Sequence, residues 1–445
     1  MNDSSPTARA GRPRADSKAR RAGLASFVGT TIEWYDFYIY GTASALVFGK
    51  VFFPGASPAV GVLASFATFW VGFLARPLGG ILFGHFGDRM GRKGTLVTTL
   101  IMMGAATFLV GALPTHAQIG VAAPFLLALL RAVQGIAVGG EWGGAVLMAS
   151  ESAPKGRGSL FAMLVQQGSP AGAILATLVF LAAGTLDDAA FLSWGWRVPF
   201  LLSALLVVVG LVIRLKVEES EDFERVKESG DVVKLPVVEV LRTAWRTVLL
   251  GLGASVMGIS AAYFTNTFVL AWTTHELHIG RQTMLYVLLA VAVVQFVWQP
   301  IGALISERVG ETRFMVGSLL ANVVVAVPMF LLIETAQPLL VFCGIALAVV
   351  CGSGYYAVLA GFLARAFPSR VRYTGISLSY QLCSTLIGGT TPLVAQALLT
   401  SGGGSVWPVA GFYAVLLLVT TACVAALGRS TERRAPQAQA VPLTV

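Results

Sequence analysis

Residues 84–93 read Gly-His-Phe-Gly-Asp-Arg-Met-Gly-Arg-Lys, and this short basic stretch separates two long apolar runs. Its glycines accept the dihedral angles of a sharp chain reversal. Arg89, Arg92 and Lys93 would hold that reversal on the cytoplasmic side of a membrane, because loops on that side carry an excess of lysine and arginine. The stretch therefore predicts a tight cytoplasmic turn between two membrane helices.

A weaker copy of this turn occurs at residues 306–313, which read Ser-Glu-Arg-Val-Gly-Glu-Thr-Arg. Aligning Asp88 with Glu307 also aligns the arginine that follows each of them and the glycine three positions on. A membrane chain that repeats its own turn halfway along is typical of a protein built from two similar halves.

Composition places the chain in a membrane. It has 445 residues, of which 56% are hydrophobic and 12% charged, and its mean hydropathy is +0.76. Soluble proteins carry roughly 25% charged residues, so most of this chain is solvated by lipid. A net charge of +9 in a soluble protein would suggest nucleic acid. Here the distribution of charge explains it better, and no nucleic-acid partner is expected.

The cysteines and histidines predict neither a metal site nor a cofactor. All four cysteines fall within apolar runs, where they are expected to be small buried side chains. Only His275 and His278 have a spacing that suits a metal, and they lie in a predicted loop. The chain also lacks a nucleophile–base constellation and a phosphate loop, so an enzyme is not expected.

A helix that crosses a membrane needs about 20 apolar residues. Twelve runs of about this length occur in the chain. They lie near residues 24–48, 60–83, 95–113, 121–147, 160–184, 196–215, 247–272, 283–305, 314–333, 339–364, 374–399 and 406–427.

The lysines and arginines predict which loops are cytoplasmic. Of the 31 in the chain, only Lys50, Arg197 and Arg281 fall in loops of the opposite side, and Arg76 and Arg131 fall within spans. This distribution predicts an even number of spans with both termini cytoplasmic, in the cell (inner) membrane. The predicted domains are a disordered basic tail at 1–22, a six-helix half at 23–215, a linker at 216–246, a second six-helix half at 247–428 and a cytoplasmic tail at 429–445.

Ionisable side chains within membrane helices are rare and suggest a function, because inserting each one into the bilayer costs about 2.5–3.5 kcal/mol. Glu33 and Asp36 share one helix face by their i, i+3 spacing, and Tyr40 follows one turn later. Two close carboxylates favour reversible protonation, with Arg131 as the natural counter-charge and Gln134 beside it. The alternative, a permanent ion pair that holds helices together, stays open. So does snorkelling of Arg76 towards the surface.

The other candidates for contact with a substrate are polar or aromatic side chains within apolar runs. Packing or an interhelical hydrogen bond remains the alternative for each of them. They are Glu141, Trp142, Gln167, Asn266, Gln295, Tyr355, Tyr356 and Tyr380, in addition to Tyr40, Arg131 and Gln134. Because the charged candidates lie in the first half, we expect the proton chemistry there and expect the second half to shape the pocket.

Residues 84–93 resemble the cytoplasmic hairpin signature of the major facilitator superfamily. Further segments narrow the resemblance to its metabolite:proton symporter family, whose members carry shikimate, 2-oxoglutarate, citrate, or proline and betaines. These segments are Glu-Trp-Tyr-Asp-Phe at 33–37, Arg-Pro-Leu-Gly-Gly at 76–80, Arg-Ala-Val-Gln-Gly at 131–135, Gly-Gly-Glu-Trp-Gly at 139–143 and Trp-Gly-Trp-Arg-Val-Pro-Phe at 194–200. Residues 191–193, with 83–87, look nearest to the shikimate branch.

The resemblance implies a fold and a gate. The fold is an all-α membrane protein of twelve transmembrane helices in two pseudo-symmetric six-helix halves, functional as a monomer in the lipid bilayer. Asp88, with Arg89 and Arg92, would lock the cytoplasmic gate. Glu311 stands where a repeat of Arg92 is expected, so the latch of the second turn would be weaker. The gating candidates are Gly84, Asp88, Arg89, Gly91, Arg92, Arg157 and Arg372.

The predicted function is import of a small polar metabolite together with protons, by alternating access. A carboxylate such as shikimate or another organic acid is favoured, because arginine is well suited to bind one. In the fifth run Ser169-Pro170 has few glycines around it, which favours a symporter over the antiporters of the superfamily. The alternatives are an exporter of a drug or metabolite, an importer of a zwitterionic osmolyte, and a sensor without net flux.

Overall fold

A computed structural model describes residues 12–90, 92–139, 163–215, 236–368 and 372–439. Within these ranges the chain is helical apart from short connections, and no strand occurs. The long helices are α1 (Arg12–Ala43), α2 (Pro58–Met90), α3 (Arg92–Ala112), α4 (Ala122–Val138), α5 (Gly168–Ala183), α6 (Val198–Leu215), α7 (Trp245–Tyr263), α8 (Arg281–Val309), α9 (Glu311–Glu334), α10 (Pro338–Ala366), α11 (Arg372–Cys383) and α12 (Trp407–Gln439).

Three of these helices continue through a π-helical segment, in which the backbone hydrogen bonds skip one extra residue. Ser44–Phe48 extends α1, Phe264–Val269 extends α7 into Leu270–His275, and Ser384–Gly388 joins α11 to Thr390–Ser401. π-bulges are frequent at functional sites.

The lengths and compositions of the helices match a membrane protein. Nine helices of the described ranges are long and apolar enough to cross a bilayer, and two shorter apolar helices lie at Val97–Ala112 and Ala122–Val138. Helix α1 begins at Arg12, inside the tail that the sequence analysis expects to be disordered. A short helix, Pro236–Thr243, lies in the expected linker.

Helix packing repeats between the two halves of the chain with an offset of six helices. In the first half α1 packs against α5, α2 against α4, and α3 against both α4 and α6. In the second half α7 packs against α11, α8 against α10, and α9 against both α10 and α12. The halves meet where α5 packs against α8 and where α2 packs against the end of α11 and Thr390–Ser401.

Helices α2 and α4 are packed backbone against backbone. A Cβ atom at Gly79 would overlap the carbonyl group of Ile136, and one at Gly135 would overlap that of Gly72. Small residues at such positions let membrane helices approach closely and gain van der Waals contact. This approach brings Arg131 of α4 against the face of α2, since a Cβ at Gly72 would also meet its side chain.

The second of the two repeated turns joins α8 to α9. Gly310 takes a φ of 94°, which side-chain-bearing residues rarely adopt. Glu311, the residue that departs from the pattern of the first turn, forms an ion pair with Arg365 at the end of α10. Glu311 therefore ties α9 to α10 within the second half.

Candidate functional site

Four polar side chains form a buried hydrogen-bond chain between α1, α3 and α4. Arg131 donates from Nη1 to Gln134 Oε1 at 3.0 Å, and Gln134 donates from Nε2 to Thr107 Oγ1 at 2.7 Å. Thr107 in turn lies 3.0 Å from Asp36 Oδ2. Asp36 and Arg131 are each 1% exposed. The sequence candidates Asp36, Arg131 and Gln134 thus meet in one connected network.

Arg131 and Asp36 form no ion pair with each other among the described contacts. They communicate through Gln134 and Thr107 instead. The sequence does not mark Thr107 as a site residue, since threonines of membrane helices commonly bond the backbone of their own helix. Thr107 does so as well, to Met103 O at 2.9 Å, and nothing in the sequence distinguishes it from other threonines.

The hydroxyl group of Thr107 has one hydrogen and two acceptors within reach. When Asp36 is ionised, Thr107 donates to its carboxylate. When Asp36 is protonated, it donates to Thr107 Oγ1, and the Thr107 hydrogen turns to Met103 O. Both protonation states of Asp36 are therefore hydrogen-bonded without movement of the backbone. Its second oxygen, Oδ1, has no hydrogen-bond partner among the described residues.

Aromatic rings surround the guanidinium group of Arg131. Its central carbon lies 4.3 Å from the ring centre of Tyr40, 4.7 Å from that of Phe69 and 4.9 Å from that of Phe37. Such cation–π contacts stabilise a buried cation by about 2 kcal/mol or more when it is desolvated. Nη2 of Arg131 has no hydrogen-bond partner within the described ranges, so it remains available to a bound anion.

Glu33 and Asp36 have different surroundings, although they lie one turn apart on α1. Glu33 is half-buried, whereas Asp36 is buried. Tyr263 of α7 and Tyr356 of α10 are close enough to Glu33 to interact with it electrostatically. Asp36 bonds to Thr107 of α3 inside the first half, whereas Glu33 lies near these two tyrosines of the second half as well as near Asp36.

Arg76 of α2 lies between the two halves. It is 4% exposed, and its Nη1 donates to Ser384 Oγ in the π segment of α11 at 2.6 Å. Its guanidinium carbon lies 4.5 Å from the ring centre of Phe73 and 4.6 Å from that of Phe37. These contacts decide against snorkelling, because the charged end is buried against protein.

A cavity lies mainly within the second half, with Ser169 and Ala173 of α5 as its lining residues from the first half. Its volume of about 50 Å³ has room for a few water molecules, so a metabolite requires the bundle to widen. Its lining residues carry no charged side chain. The polar ones include Asn266, Gln295, Asn322, Ser353, Tyr356 and Tyr413.

The polar groups of several other sequence candidates have partners within the bundle. Tyr40 packs on Arg131 and donates to Thr68 Oγ1 at 3.1 Å. Gln167 donates to the carbonyl of Phe296 in α8 at 3.0 Å, which joins the halves. The hydroxyl groups of Tyr355 and Tyr380 also have partners, which are Ala254 O for Tyr355 and, at 3.3 Å, the Tyr356 hydroxyl for Tyr380.

Most of the gating candidates and two of the substrate-contact candidates lie outside the described residues. The two substrate-contact candidates are Glu141 and Trp142, and the gating candidates are Arg157 and Gly91, with the side chains of Asp88, Arg89 and Arg92 and the surroundings of Gly84. Arg372 is half-buried, and its Nε lies 3.4 Å from the carbonyl of Phe367 in the preceding connection.

The halves are also joined at the end of the bundle where α5 connects to α6. Arg281, the first residue of α8, pairs with Asp188 at 3.0 Å, and its guanidinium carbon lies 3.8 Å from the ring centre of Phe191. It also donates to the carbonyl groups of Gly184 and Leu186, at 3.3 Å each. The sequence marks Arg281 only as a loop charge, since its partners are distant in the chain.

No group of histidines, cysteines and carboxylates in the described part of the chain is arranged to hold a metal ion. The groups that the described site offers to a substrate are the hydrogen-bond chain, the buried arginines and the neutral cavity.

Comparisons with known proteins place the chain among transporters. The family described as "Sugar (and other) transporter" matches residues 22–234, and the family described as "Major Facilitator Superfamily" matches residues 250–443. A shikimate transporter of Escherichia coli (strain K12) is 41% identical over 94% of this chain and 96% of its own length. A proline/betaine transporter of Salmonella typhimurium is 34% identical over 91% of this chain and 82% of its own length.

The fold has solved counterparts. The crystal structure of a D-xylose–proton symporter superposes with a TM-score of 0.70 over 91% of this chain and 97% of that one. Sequence identity between the two is 16%, so the likeness is one of fold.

Proposed function

This chain belongs to the major facilitator superfamily of membrane transporters, and we propose that it imports a small carboxylated metabolite together with protons. Membership makes it a transporter and not an enzyme, as the sequence predicted. The observation that carries the proposal is the buried chain from Arg131 through Gln134 and Thr107 to Asp36.

The proposed architecture has twelve spans in two halves, with both termini in the cytoplasm and the protein in the cell membrane as a monomer. The nine long apolar helices support it, together with α1 and the shorter apolar helices in α3 and α4. The positions of the lysines and arginines support the orientation. In this orientation the connection from α5 to α6 lies outside the cell.

Coupling follows from the need to balance buried charge. Arg131 is buried without a carboxylate in contact, and Asp36 is the acid joined to it. When Asp36 takes up a proton, the charge of Arg131 loses that compensation, and an anionic substrate near Nη2 restores it. Proton and carboxylate are therefore expected to bind together and to leave together.

The neutral cavity completes the proposal, since its amide and hydroxyl groups would contact the rest of a substrate once the bundle widens. A shikimate transporter among the relatives makes a hydroxylated ring acid the first choice. A proline/betaine transporter among them keeps a zwitterionic osmolyte as the second candidate. The alternative function on the same fold is an exporter, in which protons enter the cell as the substrate leaves it.

The proposal is tested by uptake into proteoliposomes under an imposed inward proton gradient. The labelled panel contains shikimate, 2-oxoglutarate, citrate, benzoate and glycine betaine. We expect accumulation of one acid, and its collapse when a protonophore is added. Accumulation of glycine betaine alone would select the osmolyte carrier, and loss of preloaded substrate against inward proton flow would select the exporter.

Replacing Thr107 by valine is expected to lower proton-driven uptake at least tenfold, since the change removes the hydroxyl between Gln134 and Asp36 with little change in volume. Thr107→Ser keeps the hydroxyl and should retain most of the activity. Initial uptake rates of both variants across a range of external pH measure the effect. Equal rates for Thr107→Val and the wild type would remove Thr107 from the coupling path.

Replacing Arg281 by glutamine is expected to favour the conformation that is open to the outside. The change removes the cation over Phe191 and weakens the bonds to the α5–α6 connection. The Asp188 side chain is 88% exposed, and an exposed ion pair contributes about 0–1 kcal/mol, so Asp188→Asn should have little effect. Labelling of a cysteine introduced at Ala183, which is buried at the end of α5, reports opening in a protein whose four native cysteines have been replaced. Equal labelling of both variants would contradict the role of Arg281.

A further inference from the structure

Asn322 of α9 is a buried amide that has not been given a role. It is 1% exposed, it lines the neutral cavity, and its Oδ1 has no hydrogen-bond partner among the described residues. Ser353 of α10 lines the same cavity, is 6% exposed, and likewise has an Oγ without a partner in the described ranges. A buried acceptor left unpaired costs about 1–3 kcal/mol, so these two atoms point to a bound group.

Neighbouring residues fix the position of the Asn322 amide. Its side chain lies near the Tyr413 hydroxyl from α12. On the other side, Gly352 of α10 leaves room for Nδ2, because a Cβ there would lie only 2.8 Å from it. Nδ2 is thus placed by its surroundings, and Oδ1 remains for a ligand.

The chemistry of this corner of the cavity is neutral and suits hydroxyl groups. Asn322, Ser353 and Tyr413 can each donate and accept hydrogen bonds. A substrate hydroxyl group satisfies both needs at once, by donating to Asn322 Oδ1 and accepting from Ser353. A quaternary ammonium group offers no donor and is recognised by aromatic faces; it would leave both atoms unpaired.

We propose that Asn322, with Ser353 and Tyr413, forms a subsite that recognises a hydroxyl group on the ring of the substrate. The inference rests on the proposed function and narrows it, because it selects hydroxylated ring acids over unsubstituted acids and betaines. Sites built around a substrate hydroxyl reject the analogue that lacks it, because buried polar groups are then left unpaired.

Binding measurements on the purified protein test the subsite independently of transport. The probes are shikimate and cyclohex-1-ene-1-carboxylate, which is the same ring acid without hydroxyl groups, and calorimetry gives the Kd of each. Wild type should prefer shikimate, and Asn322→Leu should reduce this preference by about tenfold to a hundredfold. The reduction should come from weaker binding of shikimate, with the affinity for the unsubstituted acid little changed.

A second variant tests the subsite independently, in case Asn322→Leu does not fold. Gly352→Ala keeps Asn322 but places a methyl group against its amide, so it should reduce the same preference in the same direction. Gly317→Ala on α9 is the matched control, since nothing lies within 4 Å of a Cβ there. It should leave both affinities unchanged.

Each outcome of these measurements supports or contradicts the proposed subsite. An equal loss of affinity for both acids, or an unchanged preference in the two variants, would overturn the subsite and give Asn322 a structural role alone. A reduced preference without proton-driven uptake by the wild type would sustain the subsite and overturn the proposed symport. A wild type that binds glycine betaine and neither ring acid would overturn the subsite and select the osmolyte carrier.

Discussion

Asp36→Asn is expected to abolish proton-driven accumulation while substrate still exchanges across the membrane. Asparagine resembles the protonated carboxyl group in shape and keeps a donor for Thr107 Oγ1, but it cannot release a proton. The wild type should concentrate its substrate by up to about tenfold per pH unit for one coupled proton. The variant should approach a ratio of about one.

Glu33→Gln is the matched comparison, since sequence analysis named both carboxylates. Glu33 is half-buried and lies near Tyr263 and Tyr356, so its replacement should alter the apparent KM more than the accumulation ratio. Accumulation and counterflow of the labelled acid in proteoliposomes measure the two effects. Full accumulation by Asp36→Asn, with loss of accumulation in Glu33→Gln, would transfer the coupling role to Glu33.

Gly135→Ala is expected to cause the largest loss of stability among the substitutions considered. The added methyl group would overlap the carbonyl group of Gly72, and backbone atoms cannot turn aside as a side chain can. Overpacking typically destabilises by about 1–3 kcal/mol, and occasionally by more. To accommodate the methyl group of Gly135→Ala, α2 and α4 must move apart. This movement also displaces Arg131 from its aromatic surroundings.

Gly317→Ala again provides the control, since it makes the same chemical change at an open position. It should be neutral or slightly stabilising, because alanine favours helix by up to about 1 kcal/mol over glycine. Thermal unfolding of the detergent-solubilised variants, followed by the monomer peak in size-exclusion chromatography, measures the difference. A Tm for Gly135→Ala equal to that of Gly317→Ala would show that α2 and α4 tolerate separation.

Much of the fold could be predicted from the sequence because membrane insertion leaves a strong one-dimensional signal. Long apolar runs must be helices, since backbone polar groups in lipid have no other partners. Motifs such as the basic turn at 84–93 predicted the family, and the similarity to known transporters confirmed it. The number and orientation of the spans stay predictions that follow from the same signal.

The site was less predictable, for physical reasons that differ between residues. Asp36 and Arg131 stood out because charges are rare in apolar runs. Thr107 and Asn322 did not, because a hydroxyl or an amide in a membrane helix commonly satisfies itself locally or by packing. Arg281 was overlooked because its partners lie about 90 residues away in the chain. The expected contact between Arg131 and Asp36 proved indirect, since Thr107 and Gln134 lie between them.

The claim that this protein is a proton symporter is tested most directly by measuring the proton gradient at which the net flux of the acid stops. Proteoliposomes loaded with the transported acid are placed against a series of imposed proton gradients, with the membrane potential clamped, and net flux of labelled acid is followed. We predict that a larger inward proton gradient raises the internal acid concentration at which net flux is zero. Asp36→Asn should make this concentration independent of the proton gradient. A balance point that does not move with the proton gradient, or that moves in the opposite direction, would contradict proton symport by this protein.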